Sequence, residues 1–175
     1  MGYAITLRLD AAAATVVEAM WQALASRGVS DEALQLRYPP HLTLAILADS
    51  ADPQLLVAAA RQCAAQWPKL PSIFASLGLF RGTPSTVFLA PIVTSELLGR
   101  HAALVSLLAG EPVDPYYAVG QFVPHVTLAS DLADSAAAVA ALGLSPLPIT
   151  SLLDRLDVVR FRPVEVLESH SLANI

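Results

Sequence analysis

The chain has 175 residues, enough for one well-filled core or two small lobes sharing one, and too few for two large independent domains. An apolar share of 55% against 14% charged residues excludes a disordered or charge-driven chain. The formal net charge of −5 argues against a protein that tracks long nucleic acid by general electrostatic attraction, but leaves room for a short, locally gripped phosphate ligand.

The first ten residues, Met1 to Asp10, lack the basic start, apolar centre and cleavage site of a secretory signal. Tyr3 to Leu9 alternates large apolar residues with smaller or polar ones and predicts a half-buried strand. Val16, Met20, Ala23 and Leu24 then fall at helical spacing within Ala12 to Arg27, and Gly28 closes that helix. Pro39 and Pro40 force the chain to be extended ahead of a buried strand from His41 to Ala48. Asp52 as N-cap and Pro53 at the first helical position open a helix to about Trp67, which carries Cys63. As the only cysteine, Cys63 rules out an intramolecular disulfide and fits a reducing compartment.

Two strands, Ser72 to Phe80 and Thr86 to Ile92, are expected around a turn-rich loop at Arg81 to Ser85. Ser95 is expected to cap a helix to about Ala109, and Pro112 to Gly120 to form a loop. Gln121 to Ala129 reads as a strand and Asp131 to Leu142 as a helix. Ser151 to Phe161 and Val164 to Ser169 read as a closing strand pair. No apolar run reaches the roughly 18 to 20 residues of a membrane-spanning helix before Pro, Gly or a charge breaks it. The expectation is a cytoplasmic monomer, with residues 1–175 as a single domain of two pseudo-symmetric lobes.

Aligning His41 with His125 reveals an internal repeat of strand, helix, strand, strand. Pro40-His41-Leu42-Thr43-Leu44-Ala45 and Pro124-His125-Val126-Thr127-Leu128-Ala129 differ only at Leu42/Val126. The same alignment brings Leu79-Phe80-Arg81 close to Arg160-Phe161-Arg162. Residues two apart on a strand share a face, so each motif sets an imidazole beside a hydroxyl and turns the intervening apolar residues into the core. Two such strands related by a pseudo-twofold axis line a cleft with two His and two Thr.

That set suits phosphate chemistry. One imidazole takes a proton from the attacking oxygen while its protonated twin gives one to the leaving oxygen, and the Thr hydroxyls donate hydrogen bonds to the non-bridging oxygens. Near symmetry leaves open which His is base and which acid. The scheme needs no metal or other cofactor.

These motifs resemble those of the two-histidine phosphoesterases, which include the 2′-5′ RNA ligase-like proteins and the 2′,3′-cyclic nucleotide phosphodiesterases, and the resemblance spans nearly the whole chain. It implies a bilobal α+β fold with antiparallel sheets facing across a central cleft. It also implies hydrolysis of 2′,3′-cyclic phosphates of nucleotides or RNA ends, typically to 2′-phosphates, with His41, His125, Thr43 and Thr127 as catalytic residues. The acidic, Lys-poor composition departs from what long RNA substrates would suggest.

Around the motifs, Arg81 and Arg162 could reach an anionic ligand with a forked guanidinium or could be ordinary solvated charges; Arg8 and Arg37 have weaker claims of the same kind. Tyr38, Tyr116, Tyr117 and Phe122 could stack on a base, with core burial the competing fate of Phe122. His101 and His170 lack a Thr two residues on and are read as structural, as is Cys63. Asp131 and Asp134 are read as a helix start that complements the dipole. Two other functions compete: a module that binds a nucleotide or RNA end without turnover, and a His-ligated metal hydrolase, which lacks a third ligand at suitable spacing. A 2′-5′ RNA ligase-like activity is a further alternative within the family.

Overall fold

The computed structural model describes residues 2–143 and 145–174. Seven strands, β1 (Gly2–Leu9), β2 (His41–Ala48), β3 (Leu70–Phe80), β4 (Ser85–Pro91), β5 (Val126–Leu132), β6 (Ile149–Phe161) and β7 (Glu165–Ser171), form one sheet with every ladder antiparallel. Among the described residues five α-helices accompany it, α1 (Ala11–Ser26), α2 (Glu32–Gln35), α3 (Pro53–Gln66), α4 (Ser95–Leu107) and α5 (Ser135–Leu142), and a 3-10 turn at Pro115–Tyr117 interrupts the expected Pro112–Gly120 loop.

The thirteen-residue β6 divides the sheet into two wings. One of its flanks pairs with β1 along most of its length; the other pairs first with β3, over Ile149–Leu153, and then with β7, over Arg155–Arg160. The strand path β2-β1-β6-β3-β4-β5 curls so that its two end strands, β2 and β5, meet. Each end strand begins at a repeated motif, so the repeat becomes a bilobal α+β architecture whose lobes face each other across a cleft. Helices α1 and α5 pack beside β4, β5 and β6, while α3 and α4 pack beside β1, β2, β6 and β7.

Local sequence explains most boundaries. Asp10 caps α1 by accepting from the amides of Ala12 and Ala13, and Asp52 caps α3 with Pro53 in the first turn. Gly28, at φ +68, ends α1: its amide and that of Val29 bond back to Ala25 and Leu24, a left-handed turn that suits a residue without Cβ. Three boundaries correct the sequence-based reading. Thr94, not Ser95, caps α4 by accepting from the Leu97 amide. Strand β5 starts only at Val126, because Gln121 closes a turn with its amide on the Ala118 carbonyl and Phe122 to His125 have no ladder partner, and it runs on to Leu132. Asp134, not Asp131, opens α5, accepting from Ala136 and Ala137, while Asp131 lies in β5 with φ +53.

The core is the apolar face of the strands beneath these helices. Leu42, Leu44, Val126 and Leu128 are all buried with Ile5, Leu7, Leu56 and Leu156, as period-two alternation within the motifs requires. Each contributes roughly 1.5–3 kcal/mol of apolar burial, which fixes strand register and with it the face on which His and Thr emerge. No helix among the described residues is long and apolar enough to cross a membrane.

Candidate active site

The cleft between β2 and β5 holds a cavity of about 330 Å³ lined by His41, Thr43, His125 and Thr127. The same geometry recurs at each motif. His41 Nδ1–H donates to the carbonyl of Pro39 at 2.8 Å, and His125 Nδ1–H donates to that of Val123 at 2.7 Å. A carbonyl can only accept, so these bonds assign the proton of the neutral ring to Nδ1 and leave Nε2 as the reactive nitrogen. Each ring is oriented by its own chain two residues upstream, and thus by the motif itself.

Burial holds both imidazoles below the usual histidine range. For His41 the bond to Pro39 opposes the shift, and repulsion from His125 adds to it; for His125 the bond to Val123 opposes it. Burial therefore favours the neutral form of both rings, and repulsion from His125 further disfavours charge on His41.

The walls differ from side to side. Tyr38 lies against His41 with ring centroids 4.8 Å apart, and its hydroxyl donates to Asp157 at 2.8 Å. His125 instead meets the edge of an aromatic pair, with Phe80 at 5.0 Å and Phe88 at 5.3 Å. Trp21 Nε1–H donates to the Thr127 carbonyl at 3.2 Å, so α1 pins the second motif from behind. Tyr117 closes the cavity beside Thr43; burial first, then the charge of Asp114, pushes its hydroxyl up to about 12 against a hydrogen bond with Thr43. At one end, Glu32 receives hydrogen bonds from Arg162, at 2.6 Å, and from Ser130.

Seven of the nine site residues expected from sequence therefore line one cavity: His41, Thr43, His125, Thr127, Tyr38, Tyr117 and Arg162. Arg81 and Phe122 do not. Arg81 lies in an adjoining groove that meets the cavity at Phe80, Tyr117 and His125. Phe122 stacks on His101 at 4.0 Å and 11°, and His101, buried, donates from Nε2 to the Tyr117 carbonyl at 3.0 Å. His101 and Phe122 thus anchor the loop that presents Tyr117. Tyr38 reaches the cavity with its ring only, because its hydroxyl is committed to Asp157 and Thr6.

Sequence reasoning missed Glu32, Ser130, Phe80 and Phe161 on the cavity wall. For the two phenylalanines a signal existed, since the repeat alignment had already brought their segments close together. Glu32, in a helix of a single turn, and Ser130 gave none. Cys63 is buried, with its thiol pushed up to about 11 by burial, as expected for a structural thiol. Among the described residues, no three His, Cys, Asp or Glu side chains gather in a metal-holding cluster.

Comparisons with known proteins bear on the family and the fold. The model of the 2′-5′ RNA ligase superfamily matches residues 10–165. Among solved structures, TT0787 of Thermus thermophilus is similar in fold, with 22% identity over 99% of both chains and a TM-score of 0.67. So is LigT of Escherichia coli: its complex with NADP+ is 16% identical over 99% of this chain and 98% of that one at a TM-score of 0.63, and its complex with 3′-AMP is 16% identical over 98% and 97% at 0.63. No curated protein matches the sequence.

Proposed function

Since the chain belongs to the 2′-5′ RNA ligase superfamily, the two-histidine phosphoesterases, we propose that it hydrolyses 2′,3′-cyclic phosphates of nucleotides or RNA ends to 2′-phosphates without a metal. The observation that carries this reading is the pair of imidazoles on one small cavity, each with Nδ1 bound to its own backbone and Nε2 left for chemistry. The reacting groups have fixed roles. One Nε2 takes a proton from water as its oxygen bonds to phosphorus; the other, protonated, delivers a proton to the ribose O3′ as the P–O3′ bond breaks. Thr43 and Thr127 donate to the non-bridging oxygens, whose charge grows as phosphorus becomes five-coordinate.

A cavity of about 330 Å³ suits a single nucleotide, and the LigT complex with 3′-AMP supports a small phosphate-bearing ligand for this fold. Tyr117, Phe80 and Phe161 offer ring surface to a base, and Arg162 offers a cation at the rim. The test is a panel of 2′,3′-cyclic mononucleotides and short RNAs with cyclic ends, incubated in EDTA and read by ³¹P NMR. A 2′-phosphomonoester product is expected. Binding without turnover would replace this reading by that of a nucleotide-binding module, and joining of a cyclic end to a 5′-hydroxyl would point to ligase-like chemistry.

A further inference from the structure

Two grooves open from the cavity, and they differ in what they can hold. One leaves at the end marked by Glu32, Ser130 and Arg162; it sets the carboxylates of Glu32, Asp131 and Asp134 against the guanidiniums of Arg27 and Arg162 and, among the described residues, offers no aromatic ring. The other leaves past Phe80, Tyr117 and His125 and has a volume of about 660 Å³, twice that of the cavity. Its walls are the end of β3 with Arg81, and the segment from Asp114 to Val123 that joins α4 to β5.

This second groove presents both halves of a nucleotide-binding surface. Tyr116 is 82% exposed, and its amide donates to Asp114 Oδ1 at 2.9 Å, so its backbone is fixed while its ring stays in solvent. Leu79, Phe80 and Val123 are exposed on the same concave wall, and apolar side chains gathered in this way mark a binding surface where scattered ones do not. Among the described residues no carboxylate pairs with Arg81, whereas Arg162 is held by Glu32. A base stacks on an exposed ring, and a guanidinium fork grips a phosphodiester. Asp114, the carboxylate of the groove, repels a further phosphate but accepts a hydrogen bond from a ribose hydroxyl.

We propose that this groove binds the nucleotide that precedes the cyclic phosphate in a single-stranded RNA, with its base on Tyr116 and the linking phosphodiester on Arg81. The inference rests on the cyclic phosphodiesterase reading above and deepens it, making an RNA end a better substrate than a mononucleotide. A 2′,3′-cyclic phosphate occupies both of those ribose oxygens, so the chain continues only from O5′. With phosphorus between His41 and His125, that side leaves through the groove that begins at Phe80, Tyr117 and His125 rather than through the one lined by three carboxylates. A single cation in the groove serves a single extra phosphate.

The experiment compares kcat/KM for a mononucleotide, a dinucleotide and a trinucleotide, each ending in a 2′,3′-cyclic phosphate. The dinucleotide is expected to exceed the mononucleotide about tenfold, mainly through KM, and the trinucleotide to add nothing further. Arg81→Ala and Tyr116→Ala each remove most of that advantage and leave mononucleotide hydrolysis unchanged. A methylphosphonate linkage in the dinucleotide reproduces the loss in Arg81→Ala and makes that substitution silent, and an abasic upstream residue does the same for Tyr116→Ala; these substrates test the groove even if a variant fails to fold. A dinucleotide no better than the mononucleotide, an advantage that survives both substitutions, or equal losses on both substrates would overturn the inference. Calorimetry with the corresponding 2′-phosphates separates it from the functional reading: wild type that hydrolyses none of the three defeats that reading alone if the dinucleotide still binds about tenfold more tightly than the mononucleotide, and equal affinities, or binding of neither, defeat the groove as well.

Discussion

Behind Thr43, the first wing continues across the sheet as Thr6, Asp157 and Ser169; behind Thr127, the second continues as Phe88 and Gly78. The first row is a buried polar network, stable only because the carboxylate finds a partner for each oxygen. The second is held by shape. Phe88 lies flat over Gly78, where an added Cβ would overlap its ring, and Phe80 packs on Phe88 at 4.3 Å. Both wings nonetheless deliver an imidazole whose Nδ1 is bound to the carbonyl two residues upstream. The imidazole geometry at the cleft is thus the same in both wings, whereas the layer behind it must only hold a strand in register, and two unrelated kinds of packing do so.

If the cleft-facing groups act as a pair, removing either must cost nearly the same despite this difference behind them. His41→Ala and His125→Ala are each expected to lower kcat/KM for a cyclic nucleotide by about 10²–10⁴-fold with the fold retained by circular dichroism. A large loss for one and a small loss for the other would break the equivalence. Gly78→Ala probes the wing held by shape: its methyl must displace the Phe88 ring, lowering stability by about 1–3 kcal/mol in urea unfolding and loosening the support of His125. Thr43→Ala and Thr127→Ala should each lower kcat/KM by roughly tenfold with a smaller effect on KM, as for donors that act mainly in the transition state.

The smallest effect is on stability against pH. Burial depresses His41, His125 and His101 below 6.5, so the unfolded chain binds more protons than the folded one under mild acid. Their contribution is present in full above 6.5 and is lost as pH falls through the folded values. The melting temperature should accordingly decline between pH 7 and 5, and a flat profile would contradict neutral buried rings.

Much of this was legible in the chain because it is encoded locally. Asp52-Pro53 and Gly28 mark helix ends through their own backbone chemistry, and the alternation of His41 to Leu44 and of His125 to Leu128 assigns each face by parity alone. Family membership followed from the duplicated motif. What sequence could not show was formed at a distance: Tyr38 meets Asp157 across 119 positions, and Arg162 meets Glu32 across 130. Helix α2 escaped notice because four residues are too few to display a period. Arg81 and Arg162 looked alike as charges beside equivalent strands, yet only Arg162, held by Glu32, borders the cavity.

In the proposed reaction both imidazoles serve one phosphorus atom. It is tested most directly by the double variant His41→Ala/His125→Ala measured beside its two parents on a 2′,3′-cyclic nucleotide. Groups that work as a unit give a double loss no greater than about that of the more damaging single change. Losses that multiply would show two independent contributions and contradict a shared site.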